Sequence, residues 1–168
     1  MIQPKRINKE HLFLTTSAAV CLAFMAFVTM VFPAINLVLT TTLVEESFNI
    51  KVLGTNAIFG GKLYLDNLVI GKANFSFLSL IAYLLPLAAV FLSVMAFDKK
   101  SPLYNIISAV VCFIGAIMML SQCYLTNIEV LTLYGFTTKL LIGPKLGAIF
   151  AAISGCFNLG SVKIKNVK

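Results

Sequence analysis

Apolar residues run in four long stretches, 12–44, 77–97, 103–128 and 146–162, none of which contains Asp, Glu, Lys, Arg or His. Every charged side chain of the chain lies between or outside them. A hydrocarbon core about 30 Å thick takes about 20 apolar residues per helix, so the pattern predicts an integral membrane protein with four spans. The fourth stretch is the shortest. It is flanked by Lys145 on one side and by Lys163 and Lys165 on the other, and it spans if those lysines snorkel or the bilayer thins locally. The first, at 33 residues, exceeds one membrane thickness and holds Pro33 and Asn36. A kink at Pro33, or a helix continuing beyond the bilayer, would account for the excess.

Between the spans the period changes. Apolar residues alternate at Phe48, Ile50 and Val52, and again at Leu63 and Leu65, while Gly60-Gly61 offers the positive-φ pair that a tight turn needs. Segment 45–76 therefore reads as a loop carrying a small β-hairpin or meander. Too short to be stable alone, it should pack on the second loop, 129–145. There Ile128, Val130 and Thr132 fit either one more strand or a third helix continuing to about Thr132, and periodicity does not choose between them. The expected architecture is an all-α four-transmembrane-helix bundle, one domain over 1–168, with a small extracytoplasmic β element between helices 1 and 2.

Composition and charge set the orientation. With 60% hydrophobic and 11% charged residues and a mean hydropathy of +0.97, the chain lies outside the range of soluble domains. Its net charge of +7 is not gathered on a soluble module of the kind that binds nucleic acid. Lys5, Arg6 and Lys9 precede the first span, Lys99 and Lys100 occupy the short middle turn, and Lys163, Lys165 and Lys168 follow the last span. The longer loops are nearly neutral, with Lys51, Lys62 and Lys72 set against Glu45, Glu46 and Asp66, and Lys139 and Lys145 set against Glu129. The positive-inside rule places both termini in the cytoplasm and both loops outside a plasma membrane. The first hydrophobic run is too long for a signal peptide and lacks an A-x-A cleavage site, so it reads as an uncleaved anchor.

Small residues recur every fourth position at Gly147, Ala151 and Gly155, leaving one face of the last span almost without side chain. A similar ridge, Ala19, Ala23 and Ala26, lies on the first span and is its natural partner, either within one bundle or across a homodimer seam.

Candidate chemistry is sparse. The sole histidine, His11, sits at the mouth of the first span without a paired nucleophile, and no phosphate-binding, zinc-protease or nucleophile-elbow motif occurs. Cys21, Cys112 and Cys156 lie within spans and Cys123 at the end of one, with no metal-binding spacing and no partner for a loop disulfide. Asn74-Phe75-Ser76 is a glycosylation sequon at the membrane surface. No enzyme and no cofactor are expected. Polar groups within the spans, among them Thr15, Thr16, Thr29, Ser108, Ser154 and Asn158, suit interhelical hydrogen bonds better than a continuous path, so a pore or neutral-solute carrier would require several copies.

The order of spans and loops resembles the claudin and tetraspanin-like plan. Lacking Trp, and lacking cysteine between 22 and 111, the sequence has none of the claudin loop signature, and no residue role carries over. The stretches 57-AIFGG-61, 75-FSFLSLIAYLLPLAAVFLSV-94 and 145-KLGAIFAAISG-155 are similar to small four-pass bacterial membrane proteins, a likeness that implies a bacterial plasma membrane and supplies no activity. The expected function is thus a non-enzymatic accessory or envelope-organising subunit. It would lie in the bilayer and meet a membrane-protein partner or a second copy through Phe59, Gly60, Gly61, Tyr64 and Asp66.

Overall fold

The structure, a computed structural model, describes residues 4–41, 47–99, 101–131 and 134–166. Glu45, Glu46, Lys100, Thr132 and Lys168, which figured in the charge and strand readings, lie outside the described residues. The chain is mostly helical. Its elements run α1 (Pro4–Val28), a 3-10 turn (Thr29–Val31), β1 (Pro33–Thr41), β2 (Ser47–Leu53), α2 (Gly54–Phe59), β3 (Gly61–Leu65), β4 (Leu68–Ala73), α3 (Phe77–Asp98), α4 (Pro102–Leu120), α5 (Gln122–Leu125), β5 (Ile128–Val130), β6 (Tyr134–Leu140) and α6 (Ile142–Asn166). Four segments, Glu10–Val31, Phe77–Asp98, Pro102–Leu120 and Ile142–Val162, are long and apolar enough to cross a membrane.

Two span boundaries differ from the sequence reading. The first apolar stretch neither kinks nor extends as a helix at Pro33; the helical backbone stops at Val31 and a strand begins. Phe32 turns to φ −78, ψ 160, as expected for a residue whose neighbour's ring excludes the α region. Beyond it Ile35, Leu37 and Leu39 point inward and Asn36, Val38 and Thr40 outward, the period of a strand. The third stretch likewise ends as a long helix at Leu120, turns through α5, and enters β5 at Ile128, so the second loop is strand there and not helix extension.

The β structure is correspondingly larger than a hairpin. One antiparallel sheet has the order β2-β1-β6 and the other β3-β4-β5. Both loops and the end of the first apolar stretch contribute. The sheets bury a shared core in which Ile35, Leu37, Leu39 and Val52 meet Leu63 and Ile70, with Ala57 of α2 closing one side. Neither three-stranded sheet could shield its own apolar face, and packing the two together does so.

Below this lobe, α1, α3, α4 and α6 form a bundle in which α1 contacts α3 and α6, and α4 contacts α3 and α6. Its interior is alanine-rich: Ala19, Ala23, Ala26, Ala89, Ala109 and Ala151 are all buried. Small side chains allow backbones to approach closely, which supplies van der Waals contact where no hydrophobic drive exists between helices. Pro86, inside α3, packs against Gly115 of α4, where a Cβ would come within 3.0 Å of the proline ring.

Candidate functional site

The residues expected to act at one hairpin tip are divided between two places. Gly60-Gly61 is not the hairpin turn. Gly60 terminates α2 with φ 86 and ψ 169, a conformation essentially restricted to glycine, and its backbone lies against Ala73 and Asn74 at the base of the lobe. Only a residue without Cβ tolerates both constraints. Phe59 beside it is exposed, and Gly61 opens β3. The turn itself is Asp66-Asn67, with φ of 45 and 71, and it joins β3 to β4. Asp and Asn enter the left-handed region more readily than other non-glycine residues. Tyr64 stands near this turn, 55% exposed and paired with Val69 across the strands.

A row of charges crosses the same sheet. Lys62 lies opposite Lys72, and Lys72 opposite Glu129. Lys72 Nζ approaches Glu129 Oε2 at 3.2 Å, and Asn74 Nδ2 donates to Glu129 Oε1 at 2.6 Å. The Lys72 and Asn74 bonds hold the Glu129 carboxyl below its ordinary range. The row lines an open depression of about 450 Å³ together with Val69, Gly71, Val130 and Leu131. Tyr64, Val69 and Leu131 give this face a run of exposed apolar surface, while Leu68, paired with Leu65, lies on the other face of the strand.

The sequon is structural at both ends. Asn74 uses its amide nitrogen on Glu129, while Ser76 caps α3 by accepting from Ser79 N at 3.2 Å and donates to the Leu125 carbonyl at 2.5 Å. Cys123, half-buried at the edge of the lobe core, has its thiol pushed up by burial, against which a Thr138 hydrogen bond and the Lys145 charge act.

Within the bundle, the α6 positions Ser154, Asn158 and Ser161 form a polar stripe. Ser154 Oγ donates to Ala19 O at 2.7 Å and accepts from Cys112 Sγ at 3.6 Å. Asn158 Nδ2 donates to Ser108 Oγ at 3.1 Å and to Ser154 O at 3.2 Å, and Ser161 Oγ reaches Thr15 Oγ1 at 3.0 Å. Ser93, Asn105 and Ser161 were not singled out in the sequence. Ser161 had a signal in its helical spacing from Ser154 and Asn158, and Ser93 and Asn105, on α3 and α4, had none of that kind. The packing residues sit as follows: Gly147 faces Thr29 and Met119, Gly155 faces Phe113 and the Ala109 carbonyl, and Ala19, Ala23 and Ala151 are buried. Among the described residues no three His, Cys, Asp or Glu side chains gather as a metal site would require.

No family model matches the chain, and no curated protein or solved structure matches it either.

Proposed function

We propose that this is a non-enzymatic four-pass membrane protein whose β lobe faces outward and engages a partner protein, the chain serving as an accessory or envelope-organising subunit of a plasma membrane. The observation that carries this reading is the exposed face of β3-β4-β5, where Tyr64, Val69 and Leu131 stand beside the Lys62, Lys72 and Glu129 row. Aromatic and aliphatic anchors rimmed by charge are the composition of a binding patch. The bundle offers less. Its interior is filled by alanine and by hydroxyl and amide groups that bond one another across the helices. Cytoplasmic termini are supported by the basic residues at the bundle end away from the lobe, including Lys99 beside Tyr104.

Photo-crosslinking from Tyr64 and Val69 in native membranes tests the proposal, with Thr137 on the other sheet as the control position. Discrete adducts from the first two positions, absent from the control and abolished by Leu131→Asp, are expected. Adducts of equal intensity from all three positions, or none from any, would refute it.

A further inference from the structure

The outward face of sheet β2-β1-β6 carries positive charge and no negative charge. Its register sets Lys51 of β2 and Lys139 of β6 on either side of Asn36 in β1, and directly opposed residues share a face. Both lysines are exposed. Adjacent strands lie about 4.8 Å apart, so the two lysine backbones are about 10 Å from each other across the central strand. No Asp or Glu occurs in β1, β2 or β6, and neither ammonium has an ion pair or hydrogen bond among the described residues.

The row lies next to the spans. β1 begins at Pro33, two residues after the first span ends at Val31, and β6 ends at Leu140, two residues before the fourth begins at Ile142. Leu141 N donates to the Ala34 carbonyl at 2.9 Å, which continues the β1–β6 ladder to the span ends. The Asn36–Lys139 pair is two residues further along, about 7 Å at the rise of a strand. Headgroup layers are about 5–8 Å thick on each side of the hydrocarbon core, within reach of a snorkelling lysine at that height. Along β2 the same face passes from apolar Leu53 to cationic Lys51 and then to neutral Asn49 and Ser47. Leu53 is 42% exposed and stands at the end of the first span, where Gly54 N donates to the Phe32 carbonyl at 3.0 Å. Apolar, cationic and neutral polar surface in that order matches the passage from acyl chain through phosphate to water.

We propose that Lys51 and Lys139 bind the phosphate of an anionic phospholipid in the leaflet beside the lobe, with Leu53 against its acyl chain. The inference rests on the bundle lying in a bilayer; it does not depend on which side the lobe faces or on a protein partner at β3-β4-β5. Each ammonium donates to a phosphate oxygen from its own side of Asn36. The Asn36 amide is held in place by donating from Nδ2 to Asn49 Oδ1 at 2.9 Å, and its own Oδ1 is covered, so no acceptor there opposes the anion. A zwitterionic lipid offers the same phosphate but brings a cation with it, so two lysines without a counter-charge select a lipid of net negative charge. A free phosphate has the same oxygens and nothing to lay against Leu53.

Photo-crosslinking of the full chain, reconstituted in vesicles of equal phosphatidylglycerol and phosphatidylcholine, reads the site from the mass of the lipid adduct. A near-surface lysine favours anionic lipid by about five-fold, so a photoreactive residue at Leu53 should capture phosphatidylglycerol more than about ten-fold over phosphatidylcholine. One at Phe91, exposed within α3, should capture both without preference. Lys51→Gln or Lys139→Gln should each reduce the Leu53 preference about five-fold and the double variant should bring it near unity, while Lys99→Gln, at the far end of α3, should leave it unchanged. Excess inorganic phosphate should preserve the preference, relative to chloride at equal ionic strength; its loss would assign the row to a soluble anion and overturn the proposal. Equal capture of the two lipids at Leu53, or a preference that survives the double variant, would overturn it while capture at Phe91 still held the bundle in lipid. No capture at Phe91 would remove the bilayer placement and the proposal with it.

Discussion

Ser93 Oγ lies 2.9 Å from Asn158 Oδ1, linking α3 to α6 across the bundle. The amide oxygen only accepts, so Ser93 donates, and its single proton is shared between Asn158 Oδ1 and the Ala89 carbonyl at 2.8 Å; Ser108 Oγ in turn donates to Ala89 O at 2.9 Å and accepts from Asn158 Nδ2. Asn158→Leu removes the amide and leaves Ser93 and Ser108 without that partner. Interhelical hydrogen bonds in membranes average about 0.6 kcal/mol each, and several are lost, so unfolding in lipid should be easier by about 1–2 kcal/mol. Because the residues act as one network, Ser93→Ala and Asn158→Leu should together cost less than the sum of their separate effects in a double-mutant cycle.

Gly147 and Gly160 share α6 and predict opposite outcomes. A Cβ at Gly147 would overlap Thr29 Oγ1 and come within 2.7 Å of Met119 Sδ, whereas one at Gly160 would meet nothing within 4 Å. Gly147→Leu should destabilise by about 1–3 kcal/mol, the usual cost of overpacking. Gly160→Ala should be neutral or stabilise by up to about 1 kcal/mol through reduced backbone freedom in the unfolded chain. Thermal denaturation in detergent separates the two.

At the lobe, two positive-φ sites respond differently to substitution. Asn67, at φ 71 in the β3–β4 turn, accepts glycine, so Asn67→Gly should leave stability unchanged or raise it slightly. Asn67→Val should cost about 1–2 kcal/mol, because a β-branched side chain is poorly tolerated in the left-handed region. Gly60→Ala should cost more than Asn67→Gly changes anything, since Gly60 combines φ 86 with a close approach to the Ala73 carbonyl. Hydrogen exchange of the β3 and β4 amides, measured for each variant, reads the local effect.

How the chain divides into helix and strand was partly written in its apolar pattern. The exclusion of charge from 77–97 and 103–120 marked α3 and most of α4, because a long helix of this kind is set by uninterrupted hydrophobicity. The switch at Pro33 was hidden because β1 is as apolar as the helix before it; its alternation, Ile35-Asn36-Leu37-Val38-Leu39-Thr40, is blurred by Val38 on the outward side. The turn was misplaced to Gly60-Gly61 because glycine is the stronger generic signal, while Asp66-Asn67 achieves the same geometry with residues that also occur in helices and loops. The partnership of Lys62, Lys72 and Glu129 joins residues of separate loops, and no local pattern encodes that register. Tyr64 and Asp66 were found as exposed lobe residues, yet the apolar neighbours Val69 and Leu131 drew no notice, since single exposed aliphatic residues carry no sequence signature.

The Glu129 carboxyl gives the lobe a pH dependence of definite sign. Its folded-state pKa lies below the ordinary 4.5, first through the Lys72 bond and then through Asn74. The folded state therefore favours the charged form, and the stabilisation is fully present above the ordinary value and fades as pH falls through it toward the lower folded value. Protonation also frees Lys72 to face Lys62 directly, a like-charge pair across β3 and β4. Exchange protection of the β4–β5 amides, notably Leu131 N bonded to Ile70 O, should hold from about pH 7 to about pH 5 and decline below, once intrinsic rates are removed. Glu129→Gln should flatten this profile. Because the ion pair is solvent-exposed, about 1 M salt should weaken the dependence in the wild-type chain while leaving the Gln variant unaffected.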